Sequence, residues 1–319
     1  SQWTQDMVKF TKTQHGAGKT QNLAVTLGRT GTDGLEAALA GTNGIPWCKW
    51  SVSGEGGNMM ATPPLPDAPY GKIMMGTKNW QSAPYWADQG IQPVVAISNN
   101  WLLVGHVDEI LMWVSTNCVL YADPWTAADL LHGEIASGCG TNTIWWGTDA
   151  NAQRNVQIQD IVVDSGKLGT IASPLPDSSN ETAVVFSAPI FVAGDVLRVD
   201  GEILALQSVS ADGLTGTVAR AQAGRPAAAH TNGSVVYAYS EVMRKNLPIG
   251  LNSVTKDLTT AINQLQLELG SNRPDFIPVP ILFDNGYIDN ENHNCYVAQT
   301  ANMVNCLVVS LSRTYYSDP

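Results

Sequence analysis

An imidazole and two carboxylates stand in the middle of an otherwise apolar stretch of this chain. Residues 101–114 read WLLVGHVDEILMWV, with His106, Asp108 and Glu109 at the centre. Removing such groups from water is costly unless they are paired or employed in a site. On these residues alone, His106 and Asp108 could form a local hydrogen-bonded pair at the end of a strand, or they could serve a functional site.

The composition predicts a large globular protein with an acidic surface. The 319 residues are 44% apolar and 14% charged, which suits one large domain, or one domain with an insert. With 28 acidic against 17 basic residues the formal charge is -11. Binding to nucleic acid or to an anionic membrane is therefore disfavoured, and a cationic partner is favoured.

The cysteines of the chain are odd in number and widely spaced. They are Cys48, Cys118, Cys139, Cys295 and Cys306. No pair has the CxxC spacing that is typical of a structural zinc site. We therefore expect at least one free thiol. We also expect neither a metal ion nor a cofactor.

The pattern of apolar residues changes twice along the chain. Residues 1–159 mix short strands with helical patterns, residues 160–239 are rich in β-branched runs separated by turns, and residues 240–319 return to the first pattern. We expect an α/β protein interrupted by a small all-β module. The individual predictions are strands at 93–97, 118–121, 277–283 and 303–311, helices at 108–114, 125–131 and 249–269, and a hairpin turn at 199–202.

One glycine-rich segment imitates a nucleotide-binding motif. Residues 16–20 spell GAGKT, the second half of a phosphate-binding loop, but Thr13 stands where that motif needs its first glycine. No apolar strand leads into the segment. We interpret it as a surface loop.

Several short motifs occur in an order that is typical of one enzyme family. In chain order they are WTQD at 3–6, GNMMATPP at 57–64, YGKI at 70–73, WLLVGHVDE at 101–109, VLYADPWTAADLL at 119–131, LQLELG at 265–270, IPVPILF at 277–283 and NMVN at 302–305. Together they resemble the catalytic domain of the peptidylarginine deiminases. The resemblance implies an α/β pentein-type fold, which is a five-bladed propeller of ββαβ modules, with residues 160–239 as an insert.

The same resemblance implies a guanidinium site. Asp6 and Asp108 match the two family carboxylates that hold opposite sides of an arginine guanidinium, and His106 matches the family's proton donor and acceptor. Carboxylates suit a planar cation that presents hydrogen-bond donors along its edges. The implied substrate is an arginine-containing peptide or another guanidino compound.

Three further residues are candidates for contacting the substrate. Trp3 lies beside Asp6, and Asn58 lies within the GNMMATPP motif. Where the family has an arginine in a Val-Thr-Arg-Gly stretch, residues 25–28 read VTLG, and Arg29 would need a shift of register to replace that arginine.

The family's nucleophile has no collinear match in this chain. The family uses a cysteine thiol that attacks the guanidinium carbon, in a module beyond the segment that matches 302–305. This chain stops at Pro319, so we expect that module to be absent and to be supplied by a second polypeptide. Alternatively Cys139, which begins CGTN at 139–142 shortly after HGE at 132–134, is a relocated nucleophile; Cys295 is a weaker second candidate.

Two classes of function follow from these features. One is a hydrolase of guanidinium groups that does not depend on calcium, because Met7 and Lys9 stand where the family has acidic calcium ligands. The other is a non-catalytic structural protein, a virion or cell-surface component that assembles as a homo-oligomer or particle through the 160–239 module. An extracellular or virion-associated location is slightly favoured by this second hypothesis.

Overall fold

The structure is a computed structural model of the chain. It describes residues 9–15, 19–27, 33–50, 56–78, 83–147, 154–249, 253–271, 273–288, 294–300, 306–310 and 313–316. The candidate residues Trp3, Asp6 and Arg29 lie outside the described residues.

The described residues form a mixed α/β protein in which strands predominate, which confirms the predicted α/β class. The helices are α1 (Asp33–Thr42), α2 (Ala83–Asp88), α3 (Pro124–Ala136), α4 (Ile158–Val162), α5 (Glu241–Asn246) and α6 (Val254–Leu269). The strands of the first part are β1 (Lys9–His15), β2 (Lys19–Leu27), β3 (Trp47–Trp50), β4 (Met59–Ala61), β5 (Ile73–Gly76), β6 (Val94–Ile97), β7 (Leu111–Ser115) and β8 (Cys118–Asp123).

The later strands are β9 (Thr143–Trp146), β10 (Arg154–Gln157), β11 (Val163–Thr170), β12 (Ala183–Val185), β13 (Val196–Val199), β14 (Glu202–Val209), β15 (Thr215–Ala219), β16 (Val235–Tyr239), β17 (Asp275–Pro280), β18 (Phe283–Ile288), β19 (Asn294–Ala298), β20 (Cys306–Ser310) and β21 (Arg313–Tyr316). The chain divides into two compact units. The first contains residues 1–123, 257–281 and 285–319, and the second contains residues 124–256 and 282–284.

One supersecondary pattern recurs three times in the first unit. β1 and β2 pair antiparallel, and β2 pairs parallel with β3 after the crossover helix α1. β4, β5 and β6 repeat this arrangement with α2 as the crossover. β7, β8 and β17 repeat it again. Because antiparallel neighbours need only a short turn while parallel neighbours need a long return connection, the ββαβ order follows from the pairing.

The third of these modules has an unusually long crossover. Between β8 and β17 the chain forms a sheet of six strands in the order β11-β16-β13-β14-β15-β12, in which every pair is antiparallel. This sheet has its own apolar core, which includes Phe186, Leu197 and Val218. The predicted hairpin at 199–202 is confirmed, since Val199 pairs with Glu202 and Asp200 adopts a left-handed φ of 49°.

Most of the predicted elements are confirmed by the structure. Strands occupy 94–97 and 118–123, and helices occupy 124–136 and 254–269. The predicted strand at 277–283 is divided, because β17 ends at Pro280 and β18 begins at Phe283. The last predicted strand is present as 306–310, and its first residues, 303–305, lie outside the described residues.

The predicted helix at 108–114 is wrong. Residues 107–109 form one 3₁₀ turn, and residues 111–115 form strand β7. Leu111, Met112 and Trp113 are buried in succession, so both faces of the strand are covered. A continuous apolar run shows no period of its own, and pairing with β8 decides the conformation here.

The GAGKT segment does not precede a helix. Lys19 begins β2, which pairs antiparallel with β1 through Lys19 and His15. A phosphate-binding loop would lead from a strand into the N-terminus of a helix. The strand therefore agrees with the interpretation as a loop, although residues 16–18 themselves lie outside the described residues. Among the helices that the structure describes, none is both long and apolar enough to cross a membrane.

A buried ion cluster holds the turn of the β13–β14 hairpin. The carboxylate of Glu202 is fully buried and accepts hydrogen bonds from Arg220 Nε at 2.9 Å and from Arg220 Nη2 at 2.5 Å. His230 Nε2 lies 2.9 Å from the same carboxylate, and His230 Nδ1 lies 2.7 Å from Asp200. Burial alone would raise the pKa of Glu202, but the bonds from Arg220, Ala228, His230 and Ala221 outweigh burial and lower the pKa to about 2.

This cluster predicts a distinct acid dependence for the stability of the protein. The pKa of Glu202 is lower in the folded state than its ordinary value of 4.5, so its stabilising contribution is complete above that value and is lost as the pH falls towards 2. We expect Glu202→Gln to destabilise the protein at pH 7 by about 3–5 kcal/mol, because Arg220 would lose its buried partner. Chemical denaturation at a series of pH values measures both effects.

The matched control is Asp177→Asn, which removes one carboxylate charge from an exposed position of the same β-rich segment. It should change the free energy of unfolding by no more than about 0.5 kcal/mol. Two outcomes would contradict the role given to the cluster. One is an equal effect of the two substitutions on the free energy of unfolding, and the other is that Glu202→Gln loses stability at low pH just as the wild type does.

Candidate functional site

The loop that carries the HVD triplet is anchored to a neighbouring strand. Trp101 accepts a hydrogen bond on its carbonyl from Tyr296 N at 2.9 Å, and Leu103 N donates to Tyr296 O at 2.9 Å. The rings of Trp101 and Tyr296 also meet edge to face, with 6.3 Å between their centroids. The backbone of this loop is therefore tied to β19 before it reaches His106.

His106 and Asp108 lie on the short 3₁₀ turn that follows the loop, inside the first unit. Their side chains are almost completely buried, with exposed fractions of 4% and 0%. His106 Nδ1 and Asp108 Oδ1 are 3.9 Å apart, which is longer than a hydrogen bond. The two groups are close enough for electrostatic interaction, but they do not form the simple bonded pair that was one of the two readings of the sequence.

A buried amide pair lies next to this turn. The 3₁₀ turn Gly56–Asn58 packs against the turn Val107–Glu109. Asn58 Nδ2 donates to the carbonyl of Gly76 at 3.1 Å, and Asn58 Oδ1 accepts from Asn99 Nδ2 at 2.9 Å. Both amides are at most 2% exposed. The pair thus connects the end of β5 to the loop that leads to His106.

Gly76 is a glycine because these two amides approach its backbone closely. A Cβ atom at this position would overlap Asn99 Nδ2 and Asn58 Oδ1. The strand that ends here, β5, is buried at each of its residues and lies between β4 and β6. The amide pair is therefore built directly onto the central strand of the second ββαβ module.

Gly105 is a glycine for two reasons. Its φ of 78° lies in the left-handed region, which is strained for other residues. A Cβ atom would also meet the stem of Lys78, at 2.6 Å from Cδ. The ammonium of Lys78 donates to the carbonyl of Leu102 at 2.5 Å and lies 3.5 Å from the buried thiol of Cys295. Lys78 therefore contacts the loop at Gly105 and Leu102 and connects it to β19.

Cys139, the preferred thiol from the sequence, lies in the other unit. It follows α3 in a turn, where its backbone N–H donates to Glu134 O at 2.8 Å and its carbonyl accepts from Asn142 N at 2.9 Å. The residue is half-buried. Its role as a nucleophile stays a prediction.

The histidine of the neighbouring HGE triplet is a core residue. His132 lies on α3, and its Nδ1 is 3.2 Å from the hydroxyl of Tyr237. Burial, followed by the nearby positive charge of Arg198, lowers the pKa of His132 to about 4. The side chain is therefore neutral at pH 7, and it ties α3 to β16.

The structure thus brings together three of the predicted site residues: Asn58, His106 and Asp108. Sequence reasoning missed Asn99 and Lys78. The available signal for Asn99 was an asparagine pair, Asn99–Asn100, placed between an apolar strand and an apolar loop. Within the part of the chain that the structure describes, no group of three or more His, Cys, Asp or Glu side chains could hold a metal ion.

Comparison with known proteins supports the resemblance in the segment that contains this site. Residues 49–168 match the family profile of protein-arginine deiminase (PAD). Over this segment the chain is deiminase-like. The match includes Asn58, Asn99, His106, Asp108 and Cys139, and it confirms the resemblance that the motifs predicted.

Two solved structures show a partial likeness to this chain. The first is the agmatine deiminase of C. jejuni, with 12% identity, a TM-score of 0.26 and coverage of 38% of each chain. The second is a candidate peptidyl-arginine deiminase, with 14% identity, a TM-score of 0.27 and coverage of 38% of this chain and 42% of the other. The chain thus spans less than half of either structure. No curated protein matches this chain.

The contact between Gly76 and the amide pair yields a prediction about stability. Gly76→Ala should force Asn58 or Asn99 to move, because the added methyl group overlaps both amides. We expect a loss of about 1–3 kcal/mol in the free energy of unfolding, the usual cost of overpacking. Thermal or urea denaturation measures this loss.

Gly133→Ala is the matched control. Gly133 lies within α3, and a Cβ atom there meets nothing within 4 Å. Alanine should stabilise the helix by about 0.5–1 kcal/mol relative to glycine. If Gly76→Ala were as stable as this control, the amide pair would not occupy the position described.

Proposed function

We propose that this chain acts on guanidinium groups, hydrolysing arginine in a peptide, or a related guanidino compound, to citrulline and ammonia. The observation that carries the proposal is the buried pair of His106 and Asp108 within the segment that matches the deiminase family. The excess of acidic over basic residues also favours a cationic substrate.

Asp108 is the proposed anchor for the guanidinium. A guanidinium presents N–H donors in a fixed plane, and a carboxylate accepts two of them through charge-assisted bonds. Asp108 is fully buried, so a bond to it gains strength from the low dielectric constant. Asp6 is the proposed second carboxylate, on the opposite edge of the plane, with Trp3 and Arg29 as further substrate contacts. Asn58 supports the turn that carries Asp108.

His106 is the proposed proton donor and acceptor. In the first step a thiolate attacks the guanidinium carbon, a C–S bond forms, and a C–N bond breaks as ammonia leaves with a proton from His106. In the second step His106 accepts a proton from water, whose oxygen forms the new C–O bond while the C–S bond breaks. General acid–base catalysis of this type contributes about 10²–10⁴-fold.

The thiol has two proposed sources within this chain and one outside it. Cys139 lies within the matched segment and begins the CGTN motif, and Cys295 lies in the same unit as His106. A second polypeptide is the alternative source. No cofactor and no calcium are required by this proposal.

We further propose that the ββαβ modules belong to a pentein-type ring of five blades. Three modules with this order of pairing occur in the first unit, and β18–β19 and β20–β21 supply strand pairs for others. The six-stranded sheet, within the predicted insert at 160–239, would then leave the ring through the third module.

The test is turnover of an arginine peptide, measured as citrulline formation and ammonia release with and without calcium. Asp108→Asn should lower kcat/KM by about 10²-fold or more, because the neutral amide loses the charge-assisted bonds to substrate. Cys139→Ser should abolish turnover if Cys139 is the nucleophile. Cys118→Ser, which alters another half-buried thiol, on β8, is the matched control and should remain active.

The pattern of losses separates the hypotheses. Loss with Asp108→Asn and Cys139→Ser would establish a relocated thiol, and loss with Asp108→Asn alone would assign the nucleophile to another cysteine or chain. Absence of turnover from wild type under every condition, including with calcium, would contradict the proposal for this chain by itself.

A further inference from the structure

The peptide bond in front of His106 is held at both of its polar atoms by side chains. The carbonyl oxygen of Gly105 accepts a hydrogen bond from Asn99 Nδ2 at 2.5 Å. The N–H of His106, which belongs to the same peptide unit, donates to Glu109 Oε1 at 3.1 Å. This peptide plane therefore has two side-chain supports on opposite edges.

Asn99 is itself fixed by the strand system behind it. Its amide nitrogen also donates to Asn58 Oδ1 at 2.9 Å, and its amide oxygen accepts from Lys78 N at 2.9 Å. Asn58 in turn donates to the carbonyl of Gly76, at the end of β5. Asn99 is completely buried. Both amide protons and the amide oxygen of Asn99 are thus used, so its orientation is determined.

The orientation of this plane controls the imidazole. The His106 side chain is attached to the Cα atom next to the N–H that bonds Glu109. On the other side of the peptide bond, Gly105 has a left-handed φ that glycine adopts without strain. A flexible glycine would let the plane rotate, and the imidazole would then swing away from Asp108. The bonds from Asn99 and Glu109 oppose that rotation.

We infer that Asn99 and Glu109 are positioning residues that hold the imidazole of His106 against the carboxylate of Asp108. Their effect on catalysis rests on the proposed function, whereas their effect on His106 does not. Glu109 acts through its carboxylate oxygen as an acceptor, and Asn99 acts through its amide as a donor. Neither residue needs to touch the substrate.

The test compares two disruptive variants, each with a conservative or exposed control. Asn99→Asp keeps the oxygen that accepts from Lys78 but loses the protons that bond Gly105 and Asn58. Asn100→Asp makes the same chemical change one residue later, at an exposed position, and is the matched control. Glu109→Ala removes the acceptor for the His106 N–H, whereas Glu109→Gln retains an acceptor oxygen and should rescue.

The first measurement is the NMR spectrum of isotopically labelled histidine, with the His106 signals assigned from His106→Gln. We expect the His106 ring signals to shift or broaden in Asn99→Asp and Glu109→Ala and to stay at their wild-type positions in Asn100→Asp and Glu109→Gln. The signals of His132 and His230 should not move in any of these variants, which reports that the other unit is intact. Unchanged His106 signals in Asn99→Asp and Glu109→Ala would overturn the inference.

The second measurement is turnover of the arginine peptide. We expect kcat to fall about 10- to 100-fold in Asn99→Asp and Glu109→Ala, because a positioning residue affects the rate through the orientation of the catalytic group. KM should change much less, and the pH profile of kcat should be altered. Turnover equal to wild type in both variants would overturn the catalytic part of the inference. If wild type has no turnover while the His106 signals still move in these variants, the proposed function fails and the positioning role stands.

Discussion

The site depends on the need to satisfy polar groups within an apolar interior. Asp108 and Asn99 are both completely excluded from solvent, and a buried polar group without partners would cost several kcal/mol. The amide network of Asn99, Asn58 and Gly76 meets this requirement for the loop, since each amide bonds to backbone or to the other amide. A network of this kind also specifies one geometry, because the loss of one member would leave polar atoms of the other members without hydrogen-bond partners.

The ββαβ modules explain how this network is held in place. β5 is central in its sheet, with an antiparallel neighbour on one side and a parallel neighbour on the other. Its side chains pack with α2 in a cluster that includes Met59, Met75 and Trp86. The amide pair lies at the end of this buried strand, so the loop of His106 is attached to the apolar core of the second ββαβ module.

The long crossover between β8 and β17 contains a complete six-stranded sheet. The entropic cost of closing a loop rises only slowly with its length. This sheet is stabilised by an apolar core and by the ion cluster of Glu202, Arg220 and His230. The two units carry different features: the HVD triplet lies in one, and the HGE triplet with Cys139 lies in the other.

The sequence by itself supplied the candidate residues for a guanidinium site, and it indicated that one internal segment is rich in β-strands. The order of motifs identified the deiminase resemblance, which the match over residues 49–168 confirms, and turn residues marked the hairpin at 199–202. Only the tertiary structure decided that 111–115 is a strand, because a continuous apolar run is compatible with helix or strand until a partner pairs with it. Only the tertiary structure could also join Asn58 to Asn99, which are 41 residues apart. A hydrogen bond between two side chains leaves no periodic signal in the sequence, since it depends on how separate elements pack.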